Sequence, residues 1–303
     1  MKRIVVIGST NTDMVVKATR IPAPGETILG GRFMMNPGGK GANQAVAAAR
    51  LGGHVTFVAK VGNDLFGREA KSLFGKEGIC TDFIFTDSQE PSGVALIMVG
   101  ENGENCISVA SGANGTLTPE EIGQAQAYIE QADLVLMQLE TPLDTVCRAA
   151  EIAAAQGIPV ILNPAPAQTI PDDLYGCLDV ITPNQSEAEW LTGIKVTDAQ
   201  SAEAAAKALC GKGARRAVVT MGAQGAHVYD GSEGVRVEAL KVEAVDTTAA
   251  GDVFNGALAV ALTEGLDLVE AVSFASGAAA VSVTRLGAQA SAPYRAELPA
   301  RAR

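Results

Sequence analysis

The chain has 303 residues, 47% hydrophobic and 19% charged, and its 23 Lys and Arg against 34 Asp and Glu give a formal charge of −11. That length buries enough surface to dispense with a disulfide or metal staple, and the composition excludes a disordered chain. The acidic balance argues against a nucleic-acid partner, which rewards clustered Lys and Arg, yet allows a nucleotide held by backbone N–H groups.

In chain order the hydrophobic pattern predicts a strand at 3–7, a helix at 42–51, a strand at 55–61 and helices at 67–78 and 119–131. A strand at 134–139, a helix at 143–156, strands at 160–162 and 180–182 and helices at 186–191 and 198–212 follow. A strand at 217–220 and helices at 253–264 and 266–283 complete the series. Apolar runs without polar alternation are buried on both faces. Alternation with helices predicts an α/β fold with a doubly wound, mostly parallel central sheet flanked by helices, as one domain over 1–303. Two stretches, 13–36 and 92–110, read instead as successive strands with Pro22, Pro24 and Gly25 in the first and Gly100 and Gly103 in the second. They predict a small β-sheet at one edge, either as ordinary hairpins or as a lid that excludes water from a site.

Cys80, Cys106, Cys147, Cys177 and Cys210 are odd in number, widely spaced and without a CxxC pair, which suits reduced thiols in a cytosol. His54 and His227 are the only histidines, so a His-rich metal site is excluded, and both read as structural or surface residues. The uncharged stretch 152–171 is interrupted by Pro159, Pro164, Pro166 and Pro171, and the start MKRIVVIGS is too short in apolar residues for a signal peptide. The expectation is a cytoplasmic protein without a membrane partner.

The strongest chemical signal is Asp246-Thr247-Thr248-Ala249-Ala250-Gly251-Asp252 before an apolar helix. Small residues at a helix entrance leave N–H groups open, and the helix dipole favours a phosphate there. Asp252 stands where it would take a proton from an attacking hydroxyl; the competing reading is a plain N-cap. A glycine-rich run, Asn36-Pro37-Gly38-Gly39-Lys40-Gly41-Ala42-Asn43, enters an earlier helix. It is not a Walker A loop, because Met34 and Gly41 stand where that pattern needs Gly and Ser or Thr. Asn11 and Asp13 point to one side of an extended segment and suit vicinal sugar hydroxyls, or a turn. Only Gly8 precedes them, which disfavours a dinucleotide fingerprint. Glu140 ends a strand, where open α/β sheets place ligand contacts. Asn184 and Glu187 read equally as a helix cap or as a Mg²⁺-water or phosphate contact. Thr220-Met221-Gly222-Ala223-Gln224-Gly225 either cradles a nucleotide or turns a hairpin.

These motifs, with NPAPA at 163–167 and the late TRLGAQ, resemble the ribokinase family of pfkB-type carbohydrate kinases in order and spacing over nearly the whole chain. The resemblance implies a sugar kinase in which Asn11, Asp13, Gly39, Lys40, Gly41, Ala42, Asn43 and Glu140 line the sugar site and Asp252 is the general base on the 5-hydroxyl of D-ribose. It implies ATP contacts from Asn184, Thr220, Met221, Gly222, Ala223, Gln224, Gly225, Gly251, Asp252 and Ser276, and an anion hole from Ala249, Ala250 and Gly251. It further implies Mg²⁺ ordered through water by Glu187, and an activating K⁺ near Asp246, Thr248, Ser282, Arg285, Gly287 and Ser291, several through backbone carbonyls. A homodimer through the lid completes the set. Where the wider family often has Gly, this chain has Ala249; if that backbone needs φ > 0, alanine is strained by about 1 kcal/mol or more. A kinase for 2-deoxyribose or another small sugar, and a non-catalytic sensor of sugar and nucleotide on the same scaffold, are the alternatives.

Overall fold

Arg3–Ile7 forms the first strand, β1, of a computed structural model that describes residues 2–298. Its Ile4 and Val6 enter the core on one side of a sheet, while Val5 and Ile7 enter the core on the other. Burial on both faces is why the run is apolar without interruption. Strands β2 (Asn11–Lys17) and β3 (Arg32–Gly38), helix α1 (Lys40–Arg50), β4 (His54–Gly62), α2 (Leu65–Lys76) and β5 (Ile84–Asp87) come next. Then follow β6 (Gly93–Val99), β7 (Asn105–Ala110), α3 (Pro119–Gln124), α4 (Gln126–Ile129), β8 (Leu134–Met137), α5 (Leu143–Ala155), β9 (Val160–Leu162) and α6 (Asp172–Tyr175). Strand β10 (Val180–Ile181), α7 (Gln185–Thr192), α8 (Ala199–Gly211), β11 (Arg216–Thr220), β12 (Ala226–Tyr229), β13 (Gly234–Val237), α9 (Ala250–Glu264) and α10 (Leu268–Ser282) complete the chain.

The central sheet has nine strands in the order β13-β12-β11-β10-β9-β8-β1-β4-β5. Neighbours from β11 to β5 run parallel, and β12 and β13 add an antiparallel edge. Helices α1, α9 and α10 cover one face with Val46, Leu258 and Val272, and α5, α7 and α8 cover the other with Val146, Leu191 and Leu209. This is the doubly wound layering that the alternation of strands and helices predicts. Chain order reverses between β1 and β8, so a crevice opens at their carboxyl ends, where ligands bind in such sheets.

A second sheet of four strands, β3-β2-β6-β7, stands beside that crevice. Its outer pairs are antiparallel and its central pair, β2 with β6, is parallel. The predicted single helix over 119–131 divides at Ala125 into α3 and α4. Strands β5 and β13 and the one-turn α6 lie outside the elements expected above. Both strands cut into polar sequence: IFTD is half-buried and GVRV is exposed except at Val237, so their patterns are short. All five cysteines are free thiols, and no helix of the described residues is long and apolar enough to cross a membrane.

Candidate active site

Helix α1 begins where the chain leaves the small sheet. Its N-cap is Gly39 at φ 89°, with no side-chain cap. A Cβ there would lie 2.7 Å from the Asn11 nitrogen, and one at Gly41 would lie 2.7 Å from the Ser9 nitrogen, so glycine is needed at both for close approach to the end of β1. The first N–H groups of α1 find partners across the crevice. Lys40 N donates to Glu140 Oε2 at 3.1 Å, Gly41 N to Ser9 Oγ at 3.4 Å, and Ala42 N to the Ser9 carbonyl at 2.8 Å. Ser9 Oγ in turn donates to Glu140 Oε2 at 2.5 Å. Glu140 is thereby fixed beside the glycine run.

Asn11 and Asp13 occupy β2, the strand that enters the small sheet. Asn114 Nδ2 donates to Asn11 Oδ1 at 2.8 Å and to the Thr10 carbonyl at 3.1 Å, while its Oδ1 accepts from Thr10 N at 2.9 Å. Burial, reinforced by the negative charges of Glu140 and Asp252, pushes the Asp13 carboxyl up to about 6. Burial works to lower the Lys40 ammonium, but the surrounding Asp252, Glu140 and Glu187 outweigh it and raise its pKa.

Asp252 is not an N-cap. The cap of α9 is Ala249, and Asp252 is the third residue of the helix, 7% exposed. Its Oδ2 accepts from Asn43 Nδ2 at 2.9 Å and its Oδ1 from Gln44 Nε2 at 3.0 Å. Burial raises its pKa against the opposing pull of Lys40 and these two donors. Asn43 Oδ1 is buried without a hydrogen-bond partner among the described residues. Asn11, Asp13, Lys40, Asn43, Glu140 and Asp252 thus meet at one crevice, with Gly39, Gly41 and Ala42 forming its backbone wall.

Ala249 is the one non-glycine residue with positive φ among the described residues, at φ 59°, ψ 13°. The strain anticipated for an alanine there is therefore present, of about 1–2 kcal/mol. Ala250 N donates to the Thr247 carbonyl and Val253 N to that of Ala249. The N–H groups of Gly251 and Asp252 precede the first intrahelical bond and so have no intrahelical partner.

The same turn forms one wall of a cavity of about 410 Å³. Thr220, Gly222, Ala223, Gly225, Ala250, Gly251 and Ser276 line it, all of them expected from the sequence, as do Leu240, Val242 and Phe254, which were not. Met221 and Gln224 are not among its lining residues: Met221 turns into the core at 3% exposure and presents only backbone to the loop. Asn184 is also outside the lining, because it caps α7. Its Oδ1 accepts from Glu187 N at 2.9 Å and Glu187 Oε2 accepts from Asn184 N at 2.8 Å. The capping alternative is therefore real, and Glu187 keeps Oε1 for another partner. Burial raises the Glu187 carboxyl.

Asp246 organises the segment before the anion turn. Its Oδ1 accepts from Thr248 N at 2.9 Å and Thr248 Oγ1 at 2.6 Å, and its Oδ2 from Gly287 N at 2.9 Å. Burial opposes ionisation here, yet these bonds hold the carboxyl below its usual range. Ser282 and Ser291 hydroxyls donate to the carbonyls of Ala279 and Ala288. The Arg285 guanidinium is committed to Glu297, leaving only its carbonyl to a cation. One carboxylate with hydroxyl and carbonyl oxygens is a hard, weakly charged set of donor types, the chemistry that suits a monovalent cation. The free oxygen of Glu187 fits a hydrated divalent one.

Buried amides behind the carboxylate, namely Gln44, Gln138, Asn163 and Asn255, were not picked out as site residues. Asn163 opens the NPAPA run and Gln44 directly follows the glycine-rich one, but only the fold brings Gln44 onto Asp252 and Asn163 onto Gln44.

A buried carboxylate at an anion-binding helix entrance, set between a polar crevice and a nucleotide-sized cavity, defines a phosphoryl-transfer scaffold. The profile of the pfkB family of carbohydrate kinases matches residues 1–295, and the chain belongs to that family. A ribokinase of Haemophilus influenzae is 48% identical over 296 residues, covering 98% of this chain and 97% of its own. A deoxyribokinase of Salmonella typhi is 40% identical over 291 residues, covering 96% and 95%. The structure of Arabidopsis thaliana ribokinase complexed with ribose and ATP matches with a TM-score of 0.92 at 32% identity, covering 97% of this chain and 96% of that one.

Proposed function

We propose that this chain transfers the γ-phosphoryl group of ATP to the 5-hydroxyl of D-ribose, giving D-ribose 5-phosphate and ADP. The observation that carries the reading is the Asp252 carboxylate, pinned by Asn43 and Gln44 at the entrance of α9. Each oxygen has one donor, so a lone pair remains for a hydroxyl proton. In the reaction the 5-oxygen attacks the γ-phosphorus, its proton passes to Asp252, and the bond from phosphorus to the ADP oxygen breaks. Little covalent work falls to the protein, so alignment and charge stabilisation dominate.

Asn11, Asp13, Lys40, Asn43 and Glu140 bind the sugar's other hydroxyls in this reading, with Gly39, Gly41 and Ala42 as its floor. ATP occupies the cavity along Thr220, Gly222, Ala223, Gly225 and Ser276, with Met221 and Gln224 acting through backbone and Asn184 through its cap. The N–H groups beside Ala249, Ala250 and Gly251 receive the transferring group. Glu187 would hold Mg²⁺ through water, and Asp246, Thr248, Ser282, Arg285, Gly287 and Ser291 would surround K⁺. When bound, these ions neutralise phosphate charge and steady the anion turn.

The small sheet, including segments 13–36 and 92–110, serves as the lid. It exposes large apolar residues on both faces: Phe33, Met35 and Leu96 on one, Ile107 and Val109 on the face shared with Asp13. Patches of this kind mark protein contacts, so the lid is the surface for a homodimer. The five free thiols suit a reducing cytoplasm.

Asp252→Asn tests the chemistry. With ribose and ATP, kcat should fall about 100-fold or more, the span of a general base, while both KM values change little. A folded variant with wild-type turnover would exclude Asp252 as the base. The Salmonella typhi relative favours a second reading, 2-deoxyribose as substrate. Competition between the two sugars in one assay decides, because a site that grips a hydroxyl rejects the analogue lacking it by about 10⁴-fold.

A further inference from the structure

We infer that Gln44 is a positioning residue, the hub of a buried amide string that holds the Asp252 carboxylate and the Asp252 peptide plane in one fixed relation. The inference rests on the reading of Asp252 as general base.

The string has a fixed polarity. Gln44 Nε2 donates both to Asp252 Oδ1 at 3.0 Å and to Asn163 Oδ1 at 3.1 Å, while Gln44 Oε1 accepts from Gln138 Nε2 at 2.6 Å. An ionised carboxylate only accepts, so the orientation of Gln44 follows from Asp252, and that of Asn163 from Gln44. Asn163 Nδ2 then donates to the Thr182 carbonyl at 3.1 Å. Thr182 Oγ1 donates to Asn255 Oδ1 at 2.6 Å, and Asn255 Nδ2 to the Gly251 carbonyl at 2.8 Å.

That last carbonyl belongs to the same peptide unit as the Asp252 N–H, one of the two amides of the anion turn without an intrahelical partner. One end of the string therefore fixes the side chain of Asp252 and the other fixes its backbone donor. Gln138, Asn163 and Thr182 follow β8, β9 and β10, so three adjacent strands anchor the string along the sheet's carboxyl edge. Gln44 and Gln138 are wholly buried and Thr182 and Asn255 are 1% exposed. Filling a seam between helix and sheet with polar groups costs stability unless each is paired, and apolar side chains would fill it more cheaply. What the string adds is direction. The Lys40 ammonium is the competing partner of Asp252, and without Gln44 the carboxylate turns toward that charge and away from the attacking hydroxyl.

The experiment is a double-mutant cycle on the full chain with ribose and ATP. Gln44→Met keeps the length of the side chain and removes its donor and acceptor. In the wild-type background kcat should fall about 10- to 100-fold, with KM for both substrates within about threefold, as expected when alignment alone is lost. In an Asp252→Ala background the same substitution should change kcat less than about twofold, because no carboxylate is left to aim. Equal losses in both backgrounds, a loss confined to KM, or no loss at all would overturn the proposal. If Gln44→Met folds poorly, Gln138→Met carries the same cycle one step further out. It should lower kcat several-fold only when Asp252 is present, and a wild-type kcat there would equally overturn it. A fully active Asp252→Asn would instead overturn the underlying reading, whatever the Gln44 variants do.

Discussion

Asp13 carries a pH dependence that can be worked out from its surroundings. Burial and two neighbouring carboxylates raise its pKa from 3.8 to about 6. Above pH 6 it is ionised and, in the proposed reading, accepts from sugar hydroxyls; below, it gains a proton and loses acceptor capacity. The KM for ribose should therefore rise as pH falls through about 6, and Asp13→Asn should abolish that dependence along with much of the affinity. An unchanged KM between pH 5 and 7 would remove Asp13 from the sugar contacts. The linkage to folding has the opposite sense. The folded state binds this proton more tightly than the unfolded chain, so the group favours folding increasingly as pH drops from about 6 toward 4, and penalises it at neutral pH. A site that tolerates such a cost has its carboxylates placed for ligand, not for stability. The residues that gather at this crevice were legible beforehand, because Asn11, Asp13, Lys40, Asn43 and Asp252 are chemically conspicuous near glycine-rich runs. Ser9, Asn114 and Gln138 were not, since a serine or an amide just after a strand, or an amide in a short helical turn, reads as ordinary until a partner about a hundred residues away comes into contact.

Helices α1 and α9 meet at a contact that leaves no room for a methyl group. A Cβ on Gly256 would lie 2.7 Å from the Gln44 carbonyl oxygen and 2.8 Å from Ala47 Cβ. Gly256→Ala should force the helices apart and cost about 1–3 kcal/mol, read as a lowered midpoint of denaturation. Because α1 presents Asn43 and Gln44 and α9 presents Asp252, turnover should fall as well, with binding less affected. Wild-type stability and rate in that variant would mean that the helices have slack. Elements such as these were visible in the sequence through their period, β1 and β9 through unbroken apolar runs, and β4 through one broken only at Thr56 and Lys60 between Val55 and Val61. Strand β13, with Arg236 between two valines, and β5, ending on Thr86 and Asp87, were not, because edge strands with one wet face are too short to set a pattern.

The assembled molecule is proposed to work as a pair. If the small sheet is the contact, Leu96→Glu combined with Ile107→Glu places a charge on each of its faces and should convert a dimer to a monomer in sedimentation experiments. A wild-type chain that sediments as a monomer at all concentrations would refute the pairing. The fold class needed only the rhythm of strands and helices, but the mixed pairing of the small sheet did not follow from local pattern. Its central parallel pair joins β2 to β6 across about eighty residues of chain, a distance at which turn chemistry is silent.

One covalent fact links these observations. Strand β2 leaves β1 after only Gly8, Ser9 and Thr10, and it is at once the spine of the small sheet and the carrier of Asp13. The sheet cannot tilt without carrying that carboxylate with it, so with the sheet as the proposed flap and Asp13 as the proposed sugar contact, the resting angle of the one and the grip of the other are a single thermodynamic quantity. By reciprocity, whatever leans on the flap from outside alters the dissociation constant of the sugar by the same factor by which the sugar alters its own.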